Sequence, residues 1–246
     1  MSINSSFIEP ALIAVVPAAG VGKRMQANCP KQYLSFLGKT VLEHTVERLL
    51  SHPKIARVIL ALGENDEYFG QLSLANNPLV SAVTGGKERV DSVLAGLNSI
   101  NKDEFSWVLV HDAARPCVSH QDISRLIDGC LSTNIGGLLA TPVRDTMKRS
   151  QLKPSKQAAS KQAYLVEHTE QRDGLWHALT PQMYKIHELK DSIENALAQE
   201  LTITDESSAI ELAGLPSQLI AASSDNIKIT RPDDLALAEF IITKQQ

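Results

Sequence analysis

The stretch from Val15 to Tyr33, VVPAAGVGKRMQANCPKQY, gathers Gly20, Gly22, Lys23, Arg24 and Lys31 into a segment too irregular for a helix or a strand. Gly20 and Gly22 let the backbone turn tightly, so that successive N–H groups face a phosphate chain. Lys23, Arg24 and Lys31 bring positive charge from both ends of the loop, and Pro30 stiffens the approach to Lys31. A single cation of this kind reads as a solvated surface charge; three within nine positions of a Gly-rich turn point to an anion. Two familiar phosphate loops fit less well. A P-loop needs G-x-x-x-x-G-K-[ST], but here Pro17 stands at the first glycine and Arg24 follows Gly22-Lys23. A dinucleotide fingerprint needs a third small residue, and Met25 occupies that place.

Three later stretches carry chemistry of their own. GGKER (Gly85–Arg89) follows an apolar run; its glycines let a base lie against the main chain, and Arg89 is placed to orient the loop or the base. In HDAARP, Asp112 stands where a strand ends, a position from which a carboxylate holds Mg²⁺, accepts from a substrate hydroxyl, or simply caps a helix. In DNIKIT, Lys228 lies inside a short apolar run, where a cation is poorly solvated unless an anion sits beside it. His111, His168 and His177 lack ligand-like spacing and read as structural.

These residues must be positioned by the elements between them. Apolar runs at Leu12–Val16, Val58–Leu62, Leu79–Val83, Trp107–Val110, Gly137–Ala140, Gln218–Ala221 and Ile227–Ile229 read as strands. TVLEHTVERLL, RVDSVLAGLNSI, QDISRLIDGCL, HELKDSIENALAQ and PDDLALAEFIIT carry the three-to-four spacing of helix faces. Apolar runs without strict alternation suit strands buried on both faces. The order predicts an α/β domain, doubly wound around a mostly parallel sheet, with ligands beyond the carboxyl ends of the strands. The polar segment from Arg149 to Gln171 is too long for an idle loop, and reads either as a surface insertion or as a β-arm that packs on a second subunit.

The bulk numbers are those of a globular chain: 246 residues, 43% hydrophobic and 21% charged. A net charge of -4 gives no general affinity for nucleic acid or acidic membranes, so an anionic ligand must meet a local cation cluster. Cys29, Cys117 and Cys130 are an odd number without CxxC spacing, which speaks against a disulfide framework or a zinc site. The N-terminus lacks the positive region of a signal peptide, and the run Ala11–Ala19 is too short to span a bilayer. A cytoplasmic protein is expected, and the end at Thr243-Lys-Gln-Gln, soon after the last helix, predicts no fused second enzyme.

With these residues in view, the chain resembles the nucleotidyltransferases that activate small phosphorylated metabolites. The opening loop is similar to their P-A-A-G-x-G-x-R-M and P-K-Q pattern. More narrowly it resembles the cytidylyltransferase family that acts on 2-C-methyl-D-erythritol 4-phosphate in the non-mevalonate isoprenoid pathway. GGKERVDSVLAGL, VLVHDAARPCV, TPVRDTMKR, DGLWHALTPQ, TITDESSAIE and DNIKITRPDDLALAE occur in that family's order. The resemblance implies a Rossmann-like nucleotidyltransferase fold over residues 1–246, with an arm inserted at about 145–172 for homodimerisation. It implies that CTP meets Pro17, Ala18, Ala19, Gly20, Gly22, Lys23, Arg24, Lys31, Gly86, Lys87, Arg89, Ser92 and Lys228, with Arg24, Lys31 and Lys228 catalytic. Asp112, Arg115, Thr146 and Arg172 would hold methylerythritol phosphate, the last two from the partner's arm, and Asp112 and Asp225 would surround Mg²⁺ directly or through water. Relatives that use ribitol 5-phosphate share the Gly-rich loop but differ in the stretches matching TPVRDTMKR and GLWHALTPQ. An NAD-dependent oxidoreductase and a catalytically silent nucleotide-binding module are the competing classes.

Overall fold

The computed structural model describes residues 11–20, 29–101, 103–151 and 164–245. Its elements follow in the order β1 (Leu12–Pro17), β2 (Ser35–Phe36), β3 (Lys39–Thr40), α1 (Val41–Leu50), β4 (Ile55–Leu62), β5 (Val80–Thr84), α2 (Arg89–Asn98) and β6 (Trp107–Val110). After these come α3 (His120–Thr133), β7 (Gly137–Pro142), β8 (Lys148–Ser150), β9 (Val166–Thr169), β10 (Trp176–Lys185), α4 (Ile186–Ala198), α5 (Glu206–Leu212), β11 (Gln218–Ala221) and α6 (Asp233–Lys244). One-turn 3-10 helices include Lys31–Tyr33, directly after Pro30.

The main sheet has seven strands in the order β11-β7-β10-β6-β1-β4-β5. Parallel pairing joins β4 to β1 and β5, β1 to β6, and β11 to β7. β10 is antiparallel to both β6 and β7, so six strands run one way and one runs against them. The period of two along β1 builds the two layers. Leu12, Ala14 and Val16 face a core shared with Leu42, Val46 and Leu49 of α1 and Ile123 and Leu126 of α3. Ile13 and Val15 face the other core, with Val93 and Leu97 of α2, Leu189 and Ile193 of α4, and Ile210 of α5. Helices therefore cover both faces, as the doubly wound expectation requires. α2 lies close on β1 because Gly96 has no side chain; a Cβ there would come within 2.5 Å of Val15 Cγ1.

Local signals set the helix starts. Thr40 Oγ1 accepts from the Glu43 amide at 3.1 Å while Glu43 Oε2 accepts from the Thr40 amide at 2.9 Å, a reciprocal cap on α1. Ser119 caps α3 through the Asp122 amide, and Asp205 caps α5 through the Ser208 amide.

Three sequence expectations change. Ile227–Ile229 forms no strand: Ile229 is fully buried and its amide donates to the Ala114 carbonyl at 2.8 Å. That bond, in a core with Phe36, Val41 and Ile241, fastens the segment onto the loop after β6 instead of onto a strand. β10 is a strand that the sequence pattern does not show: Pro181 near its centre removes a ladder donor, and the register breaks between Ala178 and Gln182. α5 falls within TITDESSAIE, which shows in the sequence as a motif and not as a helix pattern, although its Asp205 cap is present there. The described ends of the polar segment pair as an antiparallel ribbon, β8 on β9, whose strand residues are all exposed; residues 152–163 of the expected arm lie outside the described residues.

Candidate active site

A cleft opens at the carboxyl ends of β1, β5 and β6. One wall is Pro17 to Gly20 after β1, a second is Gly86 to Arg89 and Ser92 at the start of α2, and the floor is Asp112 to Ala114 after β6. Lys31, Gln32 and Lys228 close it. The fold thus brings together Pro17, Ala18, Ala19, Gly20, Lys31, Gly86, Lys87, Arg89, Ser92, Asp112 and Lys228. Gly22, Lys23 and Arg24 lie outside the described residues.

The glycines of GGKER have an internal reason to be glycine. A Cβ on Gly86 would sit 2.2 Å from Asp91 Cβ, and one on Gly85 would sit 2.7 Å from Ser92 Oγ. The turn therefore folds flush against the first turn of α2, where Ser92 Oγ accepts from the Gly86 amide at 3.1 Å.

Charge is organised around Asp112. Its Oδ1 accepts from Arg89 Nε at 3.1 Å, while Oδ2 lies 2.7 Å from Lys228 Nζ and 3.5 Å from Arg115 Nε. Burial would raise the Asp112 carboxyl, but Arg89 and then Lys228 outweigh it and hold the group well below the usual carboxylate range. The sequence points to a ligand phosphate beside Lys228; the anion the structure sets there is Asp112, on the neighbouring loop. Arg89 also forks onto Glu206, with Nη1 at 2.7 Å from Oε1 and Nη2 at 3.1 Å from Oε2. Burial lowers Arg89's proton affinity, but Glu206 and Asp112 more than reverse this and raise it. Burial pushes the Glu206 carboxyl up, and the Arg89 fork opposes that push with the geometry of an ionised pair.

Beneath Asp112 lies a chain of hydrogen bonds whose directions follow from its ends. His111 Nε2 lies 3.0 Å from the Arg115 carbonyl and must donate to it. Nδ1 is then the acceptor for the Thr180 hydroxyl at 3.0 Å, and Thr180 Oγ1 in turn accepts from the Asp112 amide at 3.0 Å. Complete burial lowers the His111 pKa to about 4, so the ring is a neutral strut, as its sequence context suggested. Arg115 donates to the Asn226 carbonyl at 2.7 Å, and Asn226 Nδ2 donates to the Thr180 carbonyl at 2.7 Å. The loop after β6, the bend of β10 and the Lys228 segment are tied into one unit.

Four expected site residues fall outside the cleft lining. Arg115 is buried behind Asp112. Asp225 sits in the turn before Lys228, its amide donating to Ser223 Oγ. Thr146 and Arg172 lie at the base of the exposed ribbon, where Arg172 donates to the Arg144 carbonyl. Sequence reasoning missed Gln32, Thr180 and Glu206. Gln32 had a visible signal, being the third residue of the quoted P-K-Q. Glu206 had almost none, since its partner Arg89 is 117 positions away.

A divalent cation finds no ready-made cage: among the described residues no three His, Cys, Asp or Glu side chains converge. Asp112 is the carboxylate on the cleft floor, which suits an ion that arrives on phosphates and needs one or two protein carboxylates. Among the described residues no helix is long and apolar enough to cross a membrane.

Known proteins agree with this architecture. The family described as IspD: 2-C-methyl-D-erythritol 4-phosphate cytidylyltransferase matches residues 12–244. The chain is 61% identical over 233 residues to the 2-C-methyl-D-erythritol 4-phosphate cytidylyltransferase of Colwellia psychrerythraea, covering 95% of each. It is 53% identical over 238 residues to the protein of the same name from Vibrio vulnificus strain CMCP6, covering 96% of each. A crystal structure of 4-diphosphocytidyl-2C-methyl-D-erythritol synthase superposes with a TM-score of 0.79 at 29% identity, over 96% of this chain and 100% of that one. The Francisella tularensis cytidylyltransferase superposes with a TM-score of 0.76 at 32% identity, over 94% of this chain and 99% of that one. A single match of this kind spans both the cleft and the ribbon, and the chain belongs to the 2-C-methyl-D-erythritol 4-phosphate cytidylyltransferase family.

Proposed function

We infer that the protein transfers CMP from CTP to 2-C-methyl-D-erythritol 4-phosphate, releasing pyrophosphate and giving 4-diphosphocytidyl-2-C-methyl-D-erythritol for isoprenoid precursor synthesis. The observation that carries this reading is the convergence of Lys31, Arg89 and Lys228 on the cleft between the Gly20 turn and Asp112. A phosphate oxygen of the second substrate attacks the α-phosphorus of CTP in line; a new P–O bond forms as the bond to the β-phosphate oxygen breaks. The nucleophile is already an anion, so no general base is needed. The site is built accordingly: His111, nearest to the floor, has both ring nitrogens engaged and lines no part of the cleft. Catalysis then rests on positioning and on neutralising charge at the reacting phosphorus, with Lys31, Lys228 and Arg24 as the cations. Lys228 is held by Asp112 until phosphate oxygens offer it a second anion. Mg²⁺, held by the nucleotide phosphates and by Asp112, would supply further neutralisation.

The working form in this reading is a homodimer. A two-stranded ribbon is marginal alone, and this one exposes Met147, Tyr164, Leu165 and Val166. Covering those side chains with a second copy would carry Thr146 and Arg172 of one chain to the cleft of the other. The three free thiols suit a reducing cytoplasm.

The test is pyrophosphate release from purified protein with Mg²⁺, each of the four nucleoside triphosphates, and either methylerythritol 4-phosphate or ribitol 5-phosphate. Release is expected only with CTP and methylerythritol phosphate. Release with ribitol phosphate would move the substrate, and no release with any pair would overturn the reading.

A further inference from the structure

We propose that Gln32 is a positioning residue that clamps the entrance of the phosphate loop to its exit. This rests on the nucleotidyl-transfer reading above and assigns a part of the loop which that reading leaves open. Gln32 is 4% exposed, in the middle of the 3-10 helix Lys31–Tyr33. Its Nε2 donates to the Ala18 carbonyl at 2.7 Å and to the Gly20 carbonyl at 3.1 Å. Both amide hydrogens are therefore used on the main chain of the loop entrance, which leaves the side-chain nitrogen no hydrogen for a ligand. The two carbonyls lie on either side of Ala19, so one carboxamide sets the curvature there and the separation between Gly20 and Lys31.

The clamp works only if its own helix is fixed, and the next residue fixes it. The Tyr33 hydroxyl donates to Asp66 Oδ2 at 2.6 Å, and its ring stacks on Tyr68 with centroids 4.9 Å apart. Asp66 Oδ1 accepts from the amides of Tyr68 and Phe69, which locks that partner loop in turn. Lys31, immediately before Gln32, reaches the Ile229 carbonyl at 3.1 Å, next to Lys228. Three successive side chains thus tie the helix to the Lys228 segment, to the loop entrance and to the loop after β4. Gln suits the central role because it offers two hydrogens without charge: Glu has the same shape and no hydrogen to give, and Met fills the space with neither donor nor charge.

The experiment compares the parent with Gln32→Met and Gln32→Glu, each confirmed folded by its thermal transition. It measures KM for CTP, KM for methylerythritol 4-phosphate, and the affinity for inorganic pyrophosphate in the absence of other substrates. Both variants should weaken CTP and pyrophosphate together by roughly tenfold to hundredfold, the range that two ordinary hydrogen bonds give. KM for methylerythritol phosphate should stay within about twofold, a split that general loosening of the fold does not produce. If Gln32→Met does not fold, Gln32→Asn carries the same expectation, because its carboxamide is one methylene short of both carbonyls. Unchanged CTP and pyrophosphate affinity in a folded variant overturns the clamp, as does equal weakening of both substrates. A parent that releases no pyrophosphate would count against the activity instead, while its pyrophosphate binding would still decide the clamp.

Discussion

Replacing Arg89 by Met tests the charge arrangement most directly. The stem keeps its packing, while three hydrogen bonds vanish: one to Asp112 at 3.1 Å and two to Glu206 at 2.7 and 3.1 Å. The two carboxylates are not left in the same state. Asp112 retains Lys228 and Arg115, whereas Glu206, 2% exposed, retains no cation among the described residues. Stranding a buried charge costs about 3–5 kcal/mol, and the lower half of that range is expected here because Arg89 is itself 30% exposed. The loss is also limited by proton uptake. Burial already pushes Glu206 up, and without Arg89 nothing opposes it. A carboxyl whose folded-state pKa is raised contributes stability that is complete below its unfolded value and fades as pH rises. Arg89→Met should therefore regain stability relative to the parent on going from pH 8 to pH 6, by up to about 1.4 kcal/mol per pH unit. Urea unfolding at both pH values, at one protein concentration, reads this out. Arg89→Met/Glu206→Met removes the stranded charge and should recover most of the loss. The reasoning fails if Arg89→Met costs less than about 1 kcal/mol at pH 8, if its deficit is the same at both pH values, or if the double variant recovers nothing.

Three further outcomes follow from the same geometry. His111, held neutral with a pKa of about 4 against an ordinary 6.5, gives stability that is present above pH 6.5 and lost as pH falls towards 4. Between pH 7.5 and pH 5 this amounts to about 2 kcal/mol, so His111→Asn should be less stable at neutral pH yet show a shallower decline; an unchanged pH slope would remove His111 as its cause. Lys228→Ala should lower kcat by about 100-fold to 1000-fold, as loss of one electrostatic donor does, while the melting temperature stays close to the parent because Lys228 is 39% exposed; steady-state kinetics and a melt decide it. If the proposed homodimer shares its sites between chains, inactive Lys31→Ala and Arg172→Ala variants should regain activity when mixed and reassorted, since one heterodimer cleft then keeps both residues. No recovery in confirmed heterodimers would place Lys31 and Arg172 in the same chain's site.

How much of the site was readable in the sequence depended on the kind of residue. Gly20, Lys31, Gly86, Arg89 and Asp112 were found because each belongs to a short string that follows an apolar run, and the carboxyl ends of the strands gather such strings at one edge. The alternation of strand and helix patterns likewise announced two faces to cover, and the residues of β1 divide between the two cores accordingly. Residues that act through one another were the ones missed. Gln32 and Glu206 are polar side chains whose meaning lies in a buried partner, and local periodicity carries no information about a partner across the fold.

The sequence by itself therefore determined the elements and the strings at their ends, because period and turn chemistry are local properties of the chain. Only the tertiary structure decided what those strings do to one another. It turned Ile227–Ile229 from an expected strand into a hook on Ala114, which sets Lys228 against Asp112. It also inserted β10 antiparallel between β6 and β7, so that Thr180 meets His111 and the Asp112 amide. The physical reason is that a buried charge or amide is stable only with its partners in place, and those partners come together when the layers close over both faces of the sheet.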